Sequence, residues 1–128
     1  MRIRGGFTLI EILVVLIVLA VLLAVLLPSF KGTRKRAFDA AAESFLREAV
    51  GAQVNYASDE GAFATDPEEL YEKGLRKRPG INLVIREGGN TFCMFARHRF
   101  GRRWFMATPE GISATDVPAS EPAPDTCP

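Results

Sequence analysis

Residues 7–27 form an apolar run of 21 residues with only two polar members, Thr8 and Glu11. As an α-helix at about 1.5 Å per residue, the run extends for roughly 31 Å, the thickness of the hydrocarbon core of a bilayer. A carboxylate is costly in such surroundings and normally marks a functional residue. The run therefore predicts a membrane-spanning helix, with Glu11 as its candidate functional side chain.

The rest of the 128-residue chain suffices for one small domain. The formal net charge is +1, so the total charge says little about partners. Arg2 and Arg4 precede the apolar run and favour a cytoplasmic N-terminus by the positive-inside rule. Basic residues also follow the run, at position 31 and at 34–36, so the charges alone leave the orientation open.

A second helical pattern follows Pro28, which interrupts the apolar run shortly before Gly32. A proline inside a helix removes a hydrogen bond and tends to kink the helix. We therefore expect one helix over residues 7–57, bent near Pro28–Gly32. Its second half is predicted to be amphipathic, because apolar residues recur every three or four positions: Phe38, Ala41, Phe45, Ala49, Ala52 and Tyr56. Intervening charged residues predict a solvated face: Arg36, Asp39, Glu43, Arg47 and Glu48.

Residues 58–128 are predicted to form a globular head. Asp66 as N-cap, Pro67 at the first helical position and Gly74 at the C-terminal end predict a short helix. The pattern over 81–108 predicts three antiparallel strands. Residues 109–128 contain five prolines and are expected to be extended and irregular. The predicted fold is α+β, with a long kinked N-terminal helix packed on a small antiparallel sheet.

Two cysteines, Cys93 and Cys127, lie far apart in the chain. An even number of cysteines beyond a membrane segment fits one disulfide in an oxidising compartment. It would tie the C-terminal tail to a strand of the sheet. The alternative is two unpaired thiols in a cytosolic protein.

The sequence offers no support for catalysis, a cofactor or a metal site. His98 is the only histidine, and the cysteines lack the paired spacing of zinc ligands. A basic cluster among aromatic residues consists of Arg97, Arg99, Arg102 and Arg103. It is a candidate contact for DNA, another anionic polymer or the acidic tail of a neighbouring subunit. The alternative is an ordinary solvated hairpin tip.

The segment Gly6-Phe7-Thr8-Leu9-Ile10-Glu11, followed by apolar residues and Pro28, resembles the signal of type IV pilins, the class III prepilin signal. The resemblance implies that a membrane peptidase removes residues 1–6 and methylates the new amino group of Phe7. It implies that Glu11 faces the amino terminus of a neighbouring subunit. It also implies a kinked helix, a variable loop, a sheet and a disulfide-closed tail.

By this resemblance, the chain is expected to be the structural subunit of a type IV pilus, anchored in the inner membrane through residues 7–27 before assembly. Its N-terminus is expected in the cytoplasm, and the assembled filament on the cell surface. Implied partners are copies of itself, the prepilin peptidase, an inner-membrane platform protein, an assembly ATPase and, for DNA uptake, DNA. Adhesion and twitching motility are further outputs of the family.

Two other functions stay open at this point. The chain could be a minor pilin or a type II secretion pseudopilin, present in few copies. Alternatively, it could be a monomeric, membrane-anchored binding module, for which Glu11 would be dispensable.

Overall fold

The computed structural model describes residues 6–127, which form two helices and four strands. Helix α1 spans Leu9–Glu60 and helix α2 spans Pro67–Glu72. The strands are β1 (Ile81–Glu87), β2 (Cys93–His98), β3 (Arg103–Thr108) and β4 (Gly111–Pro118). The chain divides into two compact units, Met1–Arg34 and Lys35–Pro128.

Helix α1 is assigned without interruption through Pro28 and Gly32. The bend predicted there stays a prediction. The helix ends at Glu60 because Gly61 adopts a positive φ of 82° and its N–H bonds to the carbonyl oxygen of Ala57 at 2.8 Å. Glycine in this left-handed conformation is a common helix stop.

The part of α1 that belongs to the second unit packs its apolar side on the sheet. The fully buried residues of this helix are Ala42, Phe45, Leu46 and Ala49. They share a core with Met94, Ala96 and Phe105 of the strands. The predicted apolar stripe is therefore present, and its centre lies nearer to Ala42 and Leu46. The expectation that Asp39 lies on the solvated face is wrong, since this residue is buried against the sheet.

The sheet is an antiparallel meander in the order β1-β2-β3-β4. Strands β1 to β3 lie where the sequence pattern predicted them. The expectation that residues 109–128 are irregular is wrong over Gly111–Pro118, which pairs with β3. Edge strands tolerate proline and polar residues because one side of their backbone remains unpaired, so the composition of this segment hid the strand.

Both faces of the sheet are covered. Along β2, Met94 and Ala96 join the core beneath α1, whereas Cys93 and Phe95 pack with Trp104 against the C-terminal tail. Side chains alternate between faces along a strand, so a strand with two covered faces is apolar throughout. The tail thereby acts as a second covering layer opposite the helix.

A buried glutamine fixes the chain beyond α1. The Gln53 side chain accepts a 2.8 Å hydrogen bond from the N–H of Ala64 and donates one of 3.1 Å to the carbonyl oxygen of Ala64. The predicted short helix then begins as expected, since the Asp66 side chain accepts a bond from the N–H of Glu68. Pro67 occupies the first helical position and Gly74 follows the end with a φ of 112°.

Candidate processing and assembly site

The Gly6–Phe7 peptide bond lies before the first helical residue, Leu9, and both of its residues are exposed. Exposed, non-helical backbone near a terminus is where proteolysis concentrates. A Cβ atom on Gly6 would meet no atom within 4 Å. The fold itself therefore does not require glycine at this position, and such a requirement would come from an enzyme that recognises the segment.

Thr8 caps the N-terminus of α1. Its hydroxyl oxygen accepts a 3.2 Å hydrogen bond from the N–H of Glu11, and its carbonyl oxygen accepts one of 3.2 Å from the N–H of Ile12. Thr8 and Glu11 have the spacing of a capping box, a signal that the sequence analysis missed. An acidic residue in the first turn also suits the positive end of the helix dipole. Glu11 thus has a local structural role besides any role in assembly.

The apolar run is exposed on all sides of the helix in the single chain. Phe7 is 71% exposed and Leu9 is 90% exposed, and the other large apolar side chains of residues 10–27 are also exposed. The continuous apolar surface of this helix far exceeds the largest exposed apolar patch of a typical soluble monomer. By length and composition, this helix is apolar enough to cross a membrane. The segment therefore requires lipid or other helices around it.

Glu11 is the only charged residue in this exposed apolar segment. Among residues 6–127, no group forms an ion pair or a hydrogen bond with its carboxylate. A carboxylate covered by apolar groups is stable only with a compensating charge or hydrogen bond. The arrangement is thus suited to receive a cation from outside the single chain.

The predicted disulfide between Cys93 and Cys127 is confirmed, with 34 residues of sequence separation. It lies on the face of the sheet opposite α1, in the cluster that contains Phe95 and Trp104. Closing a loop of this length stabilises a fold by about 4 kcal/mol in the chain-entropy estimate.

Three side chains of the sheet also hold the backbone of the tail. Arg86 donates to the carbonyl oxygen of Pro124 at 2.8 Å. The Trp104 indole N–H donates to the carbonyl oxygen of Glu121 at 2.9 Å, and Arg97 donates to the same oxygen at 3.4 Å. The tail is therefore bound to the sheet at several positions, and the disulfide at Cys127 attaches its C-terminal end.

The structure distributes the predicted basic cluster over both faces of the sheet. The Arg97 guanidinium stacks on the Trp104 ring at 4.9 Å, on the side of the tail. Arg102 forms an ion pair with Asp39 at 3.3 Å, on the side of α1. Arg99 and Arg103 form no ion pair within the described part of the chain. Arg99, whose guanidinium lies 4.6 Å from the Phe100 ring, and Arg103 at the start of β3 are thus the exposed members that could bind an external anion.

His98 packs inside this hairpin. Its ring stacks on Phe38 of α1 with centroids 4.3 Å apart, and its Nδ1 accepts a 3.1 Å bond from the N–H of Phe100. Burial lowers the pKa of His98, and the charge of Arg99 lowers it further, while Asp39 acts in the opposite direction. The neutral ring therefore serves as a packing and hydrogen-bonding group. Within residues 6–127, no cluster of three potential metal ligands occurs.

Comparison with known proteins extends these observations. The family described as "Prokaryotic N-terminal methylation motif" matches residues 1–27. The chain is also 36% identical to the type IV wide pilus major component PilA4 of Thermus thermophilus over 131 residues, with 100% of each chain covered. The similarity therefore includes the head as well as the N-terminal segment.

Proposed function

This chain belongs to the type IV pilins, and we propose that it is the major subunit of its pilus, cleaved after Gly6 and N-methylated at Phe7. As a pilin it is a structural protein that assembles with copies of itself, not an enzyme, and it is a substrate of prepilin peptidase. The observation that supports the proposal most directly is the lone carboxylate of Glu11 on an otherwise apolar, exposed helix. The name of its Thermus relative supports the assignment as a major component.

Cleavage after Gly6 explains the position of Glu11. It would create a positive amine at Phe7, two residues before the first helical residue, Leu9. In a filament core, the Glu11 carboxylate of one subunit pairs with the Phe7 amine of another. A wrong axial register leaves both charges buried without partners, which is strongly unfavourable. The pair therefore selects one position for each incoming subunit.

The apolar segment 7–27 has two successive environments in this proposal. It anchors the precursor in the inner membrane, and it later packs against identical segments in the extracellular filament. Arg2 and Arg4 favour a cytoplasmic N-terminus for the precursor. A bend at Pro28 would help the helix to leave the bilayer and to pack. Extraction would involve an inner-membrane platform protein and an assembly ATPase.

The assembled pilus would serve adhesion, twitching motility or DNA uptake. Contact with DNA would use Arg99 and Arg103, because Arg102 is paired with Asp39 and Arg97 is held against the tail by Glu121 and Trp104. Many copies along a filament would strengthen such a weak contact through avidity.

Intact masses of filaments sheared from the cell surface test the proposal. We expect a dominant species that begins at methylated Phe7 and is two hydrogens lighter than the reduced chain. A processed chain that is abundant in membranes and scarce in filaments would instead indicate a minor pilin or a pseudopilin. An unprocessed chain that begins at Met1 would contradict the proposal.

Glu11→Gln separates assembly from folding and processing. Glutamine keeps the size of the side chain and remains compatible with a capping box, but it removes the charge. We expect normal cleavage after Gly6 and loss of surface filaments, with the processed subunit retained in the membrane. Normal filaments from this variant would show that an interaction other than the Glu11–Phe7 pair determines the axial register.

A further inference from the structure

An aromatic side chain projects from the tip of the β2–β3 hairpin. Phe100 is 54% exposed, and its inner edge packs on Phe38 and His98 with ring centroids 5.6 Å and 5.7 Å away. The Arg99 guanidinium lies 4.6 Å from the Phe100 ring. The neighbouring α1 residue, Phe38, places this projection on the helix side of the sheet.

An apolar groove lies on the opposite face of the sheet. Its volume is about 270 Å³, and it is bounded by Phe95 and Met106 of the sheet, the middle of β4, and Pro124 and Thr126 of the tail. A cavity of about 150 Å³ accommodates benzene, so this groove has room for a phenyl ring.

Exposed charges of opposite sign lie beside the groove and the projection. Asp116 adjoins the β4 wall of the groove, and Asp125 lies between the two tail residues that line it. Asp116 is exposed and forms no ion pair within the part of the chain that the structure describes, whereas the exposed Asp125 pairs with Arg86 at 3.8 Å. Arg99 lies beside the aromatic projection, with its guanidinium 4.6 Å from the Phe100 ring. Complementary charges of this kind steer two surfaces together and determine their register.

We propose that Phe100 of one subunit inserts into the groove formed by Phe95, Met106 and Pro124 of a neighbouring subunit. The projection and the groove lie on opposite faces of one sheet, so the contact joins two different surfaces. Such a heterologous contact leaves a free projection and a free groove at every step, and it propagates without closing unless the rotation forms a ring. This inference depends on the proposed pilus function, and it adds a contact between heads to the packing of the apolar helices.

Crosslinking within sheared filaments tests the contact. A chain with Arg99→Cys and Ser113→Cys keeps Phe100 and places one thiol beside the projection and one on the wall of the groove. A short bis-maleimide crosslinker is expected to give a long ladder of covalent multimers. Filaments that contain a mixture of the two single-cysteine chains are expected to give dimers only, because each chain then offers one thiol.

A matched pair, Arg99→Cys with Ser58→Cys, controls for general crowding, since Ser58 is exposed on α1 and lies outside the groove. The expected result is no ladder. An equal ladder from this pair, or no ladder from the first pair in intact filaments, would overturn the contact. If the first pair gave no ladder while charge reversal of Arg99 and Arg103 abolished DNA binding by filaments, the hairpin tip would be assigned to DNA instead.

A second comparison uses two large apolar side chains of the second unit that are similarly exposed, Phe100 at 54% and Val54 of α1 at 52%. Phe100→Ser is expected to lower the temperature at which filaments dissociate, whereas Val54→Ser leaves it unchanged. Unfolding of the dissociated subunit is measured in parallel, because Phe100 also contacts Phe38. Equal dissociation temperatures for both variants would contradict the contact.

Failure of this inference is distinguishable from failure of the proposed function. If wild-type chains form filaments that begin at methylated Phe7 but give no specific crosslink, the pilus function stands and the contact falls. Absence of filaments from the wild-type chain would refute both.

Discussion

The buried carboxylate of Asp39 on α1 accepts a 2.7 Å hydrogen bond from the backbone N–H of Arg102, in the turn between β2 and β3. Its second oxygen lies 3.3 Å from Nε of the same arginine. The contact joins residues that are 63 positions apart and connects the helix to the hairpin that carries Phe100. It leaves little room at the turn, since a Cβ atom on Gly101 would lie 2.6 Å from the Asp39 carboxylate.

Asp39→Ala is expected to destabilise the subunit by about 1–3 kcal/mol, because a partly buried backbone donor loses its acceptor. Asp39→Asn keeps an acceptor oxygen and is expected to cost less, since the ion pair with the half-exposed Arg102 side chain contributes little. Urea unfolding of the detergent-dissociated subunit measures the difference. Glu43→Ala, which removes an exposed ion pair with Arg47, is the control and is expected to change stability by less than about 0.5 kcal/mol. Equal losses for Asp39→Ala and Glu43→Ala would contradict this role.

Reduction of the Cys93–Cys127 disulfide is expected to lower the free energy of unfolding by up to about 4 kcal/mol, since the unfolded chain gains freedom. The tail is also held by Arg86 and Trp104, so the native head should survive reduction at moderate temperature. Urea unfolding with and without reductant measures the effect. A variant with both cysteines replaced by alanine should unfold like the reduced chain and show no response to reductant.

Two glycine replacements should have opposite effects. A Cβ atom on Gly88 would collide with the carbonyl oxygen of Ala64, so Gly88→Ala is expected to cost about 1–3 kcal/mol. A Cβ atom on Gly51 of α1 would meet nothing within 4 Å, and alanine there should stabilise the helix by about 0.5–1 kcal/mol. Thermal unfolding of both variants shows whether each replacement raises or lowers the stability of the subunit. A stabilised Gly88→Ala variant would show that the loop at residue 64 moves freely.

Acidification should weaken the head through His98. Burial lowers its pKa in the folded chain, so between the ordinary value of about 6.5 and that lower value the unfolded chain binds more protons. The contribution of His98 to the free energy of unfolding is therefore complete above its ordinary pKa, and it is lost as the pH falls through the lowered pKa of the folded chain. The slope is at most about 1.4 kcal/mol per pH unit, the limit for one proton.

Urea unfolding at pH 7.5, 6.5 and 5.5 measures this dependence. His98→Gln removes the titrating group and should flatten the profile across this range. A wild-type profile that is already flat would contradict this prediction, and an unchanged slope in the variant would assign the dependence to another group.

Several features of the head were predictable because they depend on local patterns. The strands β1 to β3 and the capped helix α2 follow from alternation, turn residues and the Asp66-Pro67 pair. The fourth strand was not predictable, since its prolines and acids conflict with the usual strand composition. Buried polar residues of α1 were also missed. Asp39 looks like part of a solvated face, and Gln53 gives no sign that it will bond to Ala64.

The sequence by itself determined the processing segment, the apolar helix and its single carboxylate, because these depend on composition and on spacing along one helix. It also indicated that two cysteines beyond a membrane segment would pair. Only the tertiary structure decided which polar groups of α1 are buried, which arginines lack an ion pair within residues 6–127, and that Phe100 and the apolar groove lie on opposite faces of the sheet. Those outcomes depend on tertiary contacts between residues up to 63 positions apart, and no local pattern encodes which face of a sheet the returning chain will cover.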